Sequence, residues 1–122
     1  MSGAVDLAAK LASFDETWAP RIVAELNGQQ VKVAKLEGEY VWHAHAGEDE
    51  LFWVLTGHLR LELRDRVIEL GPGQLFVVPR GVEHRPVAPE LVELVLFEPA
   101  ATRNTGDVDC ERTIEAEDLR RI

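Results

Sequence analysis

The stretch GEYVWHAHAGEDELFWVLTG, Gly38 to Gly57, decides how this chain is read. Two histidines separated by one residue stand in an apolar, aromatic run. On a strand, side chains alternate between faces with period two, so His43 and His45 point the same way and can share one cation. Ala46-Gly47-Glu48-Asp49 reads as a turn, after which Glu50 opens a strand, Leu51 to Leu55, and sets a carboxylate opposite the histidine pair. A third imidazole comes later: in GQLFVVPRGVEHRP, His84 follows a rigid Pro79-Arg80-Gly81 turn that fixes its approach. Three neutral nitrogens and one carboxylate oxygen suit a divalent transition metal, and an octahedral arrangement leaves two positions for water or substrate. With only one carboxylate against a dication, the centre stays net positive. It favours bidentate oxygen anions such as enolates, α-keto acids or hydroxy acids, and it can act as a Lewis acid or, with iron, activate O₂. The fourth histidine, His58, follows Gly57 two positions before Arg60 on a polar face and reads as a surface residue.

Strand parity extends this reading. If His43 and His45 face inward, so does Val41, while Tyr40, Trp42 and Ala44 face outward; from Glu50, Phe52 and Val54 face inward and Leu51, Trp53 and Leu55 outward. The wall beside the metal is then the apolar set Val41, Phe52 and Val54. An isomerase acting on a sugar phosphate needs an inward cation and a general base, and these strands offer neither. Oxygen-dependent cleavage or oxidation of a small enolisable or aromatic molecule fits better. Arg80 and Arg85 are the candidates to meet a substrate carboxylate at the mouth. Isomerisation of a sugar or uronate would require Gln74, Arg80 and Arg85 to converge on the metal. A non-catalytic module holding metal or a small ligand is the remaining alternative. Outside, Trp42, Trp53, Leu51 and Leu55 form an apolar patch of the kind that marks an interface, predicting a homodimer on this sheet unless an N-terminal helix covers it.

The flanks are consistent with a β architecture. Leu7, Leu11 and Phe14 recur at helical spacing behind Asp6, a potential N-cap. Arg21 to Leu26 and Gln30 to Leu36 flank Asn27-Gly28, the dipeptide suited to a type I′ hairpin turn. Leu59, Leu61 and Leu63 alternate with polar residues, Val67 to Leu70 returns, and Gly71-Pro72-Gly73 and Pro79-Arg80-Gly81 punctuate the strand Leu75 to Val78. A short segment around His84 precedes the last strand, Leu91 to Phe97. Many short strands between Gly and Pro turns predict an all-β sandwich or barrel. The expected organisation is one domain over 1–122: a helical arm over 1–20, a barrel over 21–98 and a loop-like acidic tail over 99–122.

Composition bounds the class. The chain has 122 residues, 46% of them hydrophobic and 29% charged, enough for one ordinary core. Thirteen basic residues against 22 acidic ones give a net charge of −9, which disfavours nucleic acid and anionic membrane surfaces. No stretch approaches the ~20 apolar residues of a membrane span, and no signal-peptide pattern opens the chain. Cys110 is the only cysteine; it excludes an intrachain disulfide, fits a reducing compartment, and its acidic neighbours disfavour a thiolate nucleophile. A cytoplasmic location is expected.

These motifs resemble the cupin family, whose two patterns are G-x5-HxH-x3,4-E-x6-G and G-x5-PxG-x2-H-x3-N. His43-Ala44-His45, four residues, Glu50, six residues and Gly57 follow the first; Gly73, five residues, Pro79-Arg80-Gly81, two residues and His84 follow the second. Two positions depart: Gly38 lies one residue closer to His43 than the pattern asks, and Ala88 stands where the second motif closes on Asn. The resemblance implies a cupin jelly-roll barrel with the metal inside it. It also implies iron, manganese, nickel, zinc or copper on His43, His45, Glu50 and His84, and a homodimer. It leaves the reaction open, since cupins include dioxygenases, isomerases, decarboxylases and binding modules.

Overall fold

A computed structural model describes residues 3–122. The chain starts with a short helix, α1 (Leu7–Ala12), whose first turn is capped by Asp6 accepting from the Ala9 amide. Seven strands follow: β1 (Arg21–Leu26), β2 (Gln29–Glu39), β3 (Glu50–Thr56), β4 (Leu59–Leu63), β5 (Val67–Leu70), β6 (Leu75–Val78) and β7 (His84–Pro99). A 3₁₀ turn (Ala116–Asp118) and a two-residue strand, β8 (Arg120–Arg121), complete the chain. The strands join one sheet in the order β5-β4-β7-β2-β1-β8, with β3 bridging β6 and β7. This is a jelly-roll barrel, as the resemblance implies. Among the described residues no helix is long and apolar enough to cross a membrane.

The hairpin turn forms as expected, with Asn27 at φ 51° and Gly28 at φ 77° joining β1 to β2. Two strands are longer than the pattern suggested. The segment around His84 and the last strand merge into the sixteen-residue β7, which pairs with β2, β3 and β4 in turn. The tail is more ordered than a solvated loop: β8 adds in parallel to β1, pairing Arg21 with Arg120.

Inside the barrel the core is Ala34, Leu36, Phe52, Val54, Leu94 and Leu96 with their neighbours, all buried. A second cluster lies outside the sheet, where Leu11 of α1 packs on Val23, Val33 and Val95, with Leu7, Phe14 and Leu55 against it. β2 is therefore buried on both faces. Gln30, Lys32, Ala34 and Leu36 point into the barrel and Val33 points to the helix.

The parity reading of the first motif needs correction. Glycine at 38, φ +91°, coincides with a register shift between Leu36 and Gly38, and the chain leaves the strand after Glu39. Period two is lost there. Tyr40, expected outside, is buried, and Val41, expected inside, is only partly so. The outer patch changes too. Leu55 lies under the helix cluster, and Trp42 is covered by the Arg64 guanidinium 3.8 Å from its ring. Trp53 remains 41% exposed, and Leu75 and Val77 of the neighbouring β6 join it.

Candidate metal centre

The backbone brings the ligand candidates together before any side chain is considered. The His43 amide donates to the His84 carbonyl at 3.0 Å and the His84 amide to the His43 carbonyl at 2.9 Å, an isolated bridge between an irregular stretch and the first residue of β7. The Pro79-Arg80-Gly81 turn supports the same corner, since the Gly81 amide donates to the His45 carbonyl at 2.8 Å. From the other side, Ala44 is gripped by the tail: its amide donates to Asp107 Oδ1 at 3.0 Å. Gly106 is the residue that lets the tail come so close, because a Cβ there would lie 2.2 Å from the Ala44 carbonyl oxygen.

Two of the three imidazoles are oriented by backbone carbonyls. His43 Nδ1 lies 2.9 Å from the Val41 carbonyl and His84 Nδ1 lies 3.0 Å from the Val82 carbonyl. Both rings therefore carry the proton on Nδ1 and leave Nε2 with its lone pair free. Glu50, first residue of β3, points inward, its Oε1 3.3 Å from His45 Nε2 and 3.2 Å from His84 Nε2. One donor atom from each of His43, His45, Glu50 and His84 lies within 4.8 Å of the others, and all four residues are buried.

Burial and neighbouring charges set the protonation of the site. Burial, followed by the neighbouring His84, lowers the His43 pKa to about 4, so its ring is neutral at neutral pH. Burial also acts to lower His45, but the adjoining Glu50 carboxylate, with help from Glu48, produces a net rise. Glu50 is completely buried, which alone would favour the acid. The close approach of His45, His84 and Glu98 outweighs that and holds it well below the usual carboxylate range. Neither buried nitrogen of His45 makes a well-formed hydrogen bond, although Nε2 stands beside Glu50. An orphaned imidazole in a cage of nitrogen and carboxylate donors is what a divalent ion would satisfy, so these residues fit a transition metal.

Two residues of the centre, His43 and Glu50, line a cavity. Phe52, Leu94 and Leu96 form an apolar wall, and Trp18 and Tyr40 stack at 4.5 Å on another side. Trp18 sits at φ 59°, costing about 1–2 kcal/mol for a non-glycine residue. Its amide donates to the Lys35 carbonyl and its indole to the Glu37 carbonyl, which hold it there. The tail contributes Asn104, whose amide donates to the Tyr40 hydroxyl at 3.0 Å, and Leu119. Lys32 and Glu98 also line it.

Of the pocket residues expected from sequence, Phe52 lines this cavity and Val54 is buried in the core beneath, but Val41 does not line it. Nor do the mouth arginines reach it. Arg80 pairs with exposed Asp49 at 3.2 Å, and Arg85 binds Glu62 at 2.8 Å and Glu39 at 3.1 Å. Gln74 instead accepts from the Gly71 amide within its own turn. The convergence of Gln74, Arg80 and Arg85 that sugar isomerisation required is absent. His58 is on the surface beside Glu69, as expected. Trp18, Lys32, Tyr40, Glu98, Asn104 and Leu119 were not anticipated. For Glu98 a signal existed: Val92, Leu94 and Leu96 face inward at period two, and position 98 continues the series.

Comparison with known proteins agrees with the geometry. Residues 27–98 match the family model described as the cupin domain. The chain belongs to the cupin family. A curated relative, the uncharacterized protein YdbB of Bacillus subtilis, is 35% identical over 86 residues, spanning 70% of this cupin and 76% of the relative. Among solved structures, a cupin-2 domain containing protein from Shewanella frigidimarina is 43% identical with a TM-score of 0.78, covering 79% of this chain and 94% of that one. The protein NMB1881 from Neisseria meningitidis is 32% identical with a TM-score of 0.73, covering 80% and 99%. In this cupin the two departures from the family motifs face each other, for Gly38 pairs with Ala88 across β2 and β7. Neither is one of the four ligand candidates.

Proposed function

We propose that this cupin is a metal-dependent enzyme acting on a small enolisable or aromatic oxygen-containing molecule, with chemistry of the dioxygenase type. The observation that carries the reading is a His₃Glu cage, two of whose members, His43 and Glu50, line a cavity walled by Phe52, Leu94, Leu96 and the stacked Trp18–Tyr40 pair. A divalent transition metal bound there supplies Lewis acidity toward a chelating oxygen ligand and, if redox-active, a means of using O₂. The chain's own part is positional. The aromatic pair and Phe52 offer flat apolar surface to a conjugated or enolised ligand, and the Nδ1–carbonyl bonds of His43 and His84 fix the rings. Burial of the cage keeps bulk water from competing for the ligand.

A second reading, proton transfer without net oxidation, is favoured by one observation: an inward cation and an extra carboxylate, Lys32 and Glu98, line the same cavity. The deciding experiment loads the protein with iron(II) and offers diketones, catechols and α-keto acids while recording O₂ consumption and solvent deuterium incorporation. O₂ uptake coupled to loss of one of these substrates supports the first reading. Deuterium exchange with no O₂ uptake supports the second. Neither activity across the panel assigns the site to ligand or metal binding alone.

A further inference from the structure

Lys32 and Glu98 are an unusual pair to find inside an otherwise apolar barrel. Their side chains are 1% and 3% exposed, and Lys32 Nζ donates to Glu98 Oε1 at 3.0 Å. A buried ion pair is a poor stabilising device. Desolvation of each ion costs several kcal/mol, and replacement by apolar residues is often neutral or favourable. Around this pair the barrel offers Ala34, Leu36, Phe52, Leu94 and Leu96 as apolar company, so packing alone does not require charges here.

Register explains where the pair points. Gln30 lies opposite Glu98 across β2 and β7, and Phe52 lies opposite Leu96 across β3 and β7. One step further along β3 stands Glu50, beside Glu98. The ion pair and the ligand cage therefore share one polar end of one cavity, with His43, Glu50, Lys32 and Glu98 all in its lining. An ammonium carries three donors, and Lys32 makes a single side-chain hydrogen bond among the described residues, to Glu98. Glu98 Oε2 is buried without a hydrogen-bond partner; Gln30 Oε1, also unpartnered, is not part of the cavity lining. The polar end thus holds spare donors and acceptors that face an interior rather than solvent.

Charge supplies the next step. With a dication on the cage, Glu50 neutralises one of its charges and Lys32 adds another positive charge. The cavity stays net positive whether Glu98 is ionised or protonated. A neutral occupant would leave that charge buried and uncompensated, whereas an anion would offset it.

Resting on the metal-enzyme reading above, we propose that the substrate is an anion and that Lys32 is its specificity-determining anchor, hydrogen-bonding the negatively charged end of a ligand whose oxygens reach the metal. Glu98 is a positioning residue that holds the ammonium toward the cavity.

The test uses pyruvate and methyl pyruvate, which share the keto group and differ in charge. Wild type, Lys32→Met and Lys32→Met/Glu98→Gln are loaded with manganese(II), assayed for metal content, and titrated with each probe by calorimetry. The double variant removes both charges together, so it does not leave a buried carboxylate without its cation. Wild type is expected to bind pyruvate at least ~10-fold more tightly than the ester, and the variants to lose about that factor for pyruvate while retaining metal, as one lost charge-assisted hydrogen bond implies. Affinity for the ester should change by less than about twofold, which a general disturbance of the cavity would not spare. Equal pyruvate affinity in wild type and double variant, or no preference for pyruvate in metal-loaded wild type, overturns the proposal alone. Wild type that holds no metal overturns the parent reading, and this inference falls with it.

Discussion

Asp107 and Ala44 hold each other through two hydrogen bonds of 3.0 Å, one from the Ala44 amide to the Asp107 carboxylate and one from the Asp107 amide to the Ala44 carbonyl. Ala44 is the residue between His43 and His45, so a segment outside the sheet sets the spacing of two ligand candidates. Asp107→Ala is expected to weaken metal affinity by about tenfold, as loss of an outer support does at metal sites, with about 1 kcal/mol lost from stability. Competition against a graded chelator and thermal unfolding measure the two effects. Unchanged competition would mean that the sheet alone sets the spacing.

A harsher change at the same contact is Gly106→Ala. The new methyl would lie 2.2 Å from the Ala44 carbonyl oxygen at a residue whose φ is +57°. The expected loss exceeds about 2 kcal/mol, with metal affinity falling further than for Asp107→Ala. Gly28→Ala is the control, since φ there is +77° but nothing lies within 4 Å. It should lose only about 1 kcal/mol and leave the metal untouched. Chemical denaturation of both variants separates backbone strain from collision.

Removing the single carboxylate of the cage should remove the metal. Glu50→Gln keeps the shape and one hydrogen-bond acceptor but loses the charge, so retained transition metal is expected to fall to less than about a tenth of an equivalent. Elemental analysis after gel filtration reads this, and an unchanged far-ultraviolet dichroism spectrum confirms that the barrel survives.

In the metal-free protein His43 has a pKa of about 4, lowered chiefly by burial, against an ordinary 6.5. Between those values the unfolded chain binds a proton that the folded chain does not. The His43 contribution is therefore fully present above pH 6.5 and is lost as pH falls toward 4, on the order of 3 kcal/mol. Imidazole NMR titration gives the site directly. A His43 resonance titrating near 6.5 would remove the basis of the expected slope.

The outer face of β3 and β6 presents Trp53, Leu75 and Val77, 41%, 52% and 43% exposed. If the homodimer expected from sequence forms on this face, Trp53→Glu yields a monomer in sedimentation velocity while metal content stays the same. A monomeric wild type removes the expectation.

What could be read from the chain in advance followed from local chemistry. His43, His45, Glu50 and His84 were legible because coordination needs particular side chains at particular spacings, and Asn27-Gly28 because few residues accept two positive φ angles. Tyr40 and Val41 fall on the wrong faces by parity because parity counting assumes an unbroken strand, and the chain leaves β2 after Glu39. Lys32 escaped notice because β2 is covered on both faces: Val33 packs under the helix and Lys32 into the barrel. An apolar alternation then does not tell inside from outside. Trp18, Asn104 and Leu119 reach the cavity only through tertiary contacts, which no local pattern encodes.

The division of labour between sheet and tail has a consequence for how such a protein can change. The cage and its apolar wall are built on strands whose side chains also fill the core, so altering them disturbs folding. Asn104 and Leu119, by contrast, belong to a stretch that contributes little to the barrel's own pairing. That stretch is a replaceable cover. Exchanging residues 100–119, with the Gly106–Asp107 grip on Ala44 retained, should redraw the size and shape of what is admitted while the scaffold and its metal chemistry stay constant.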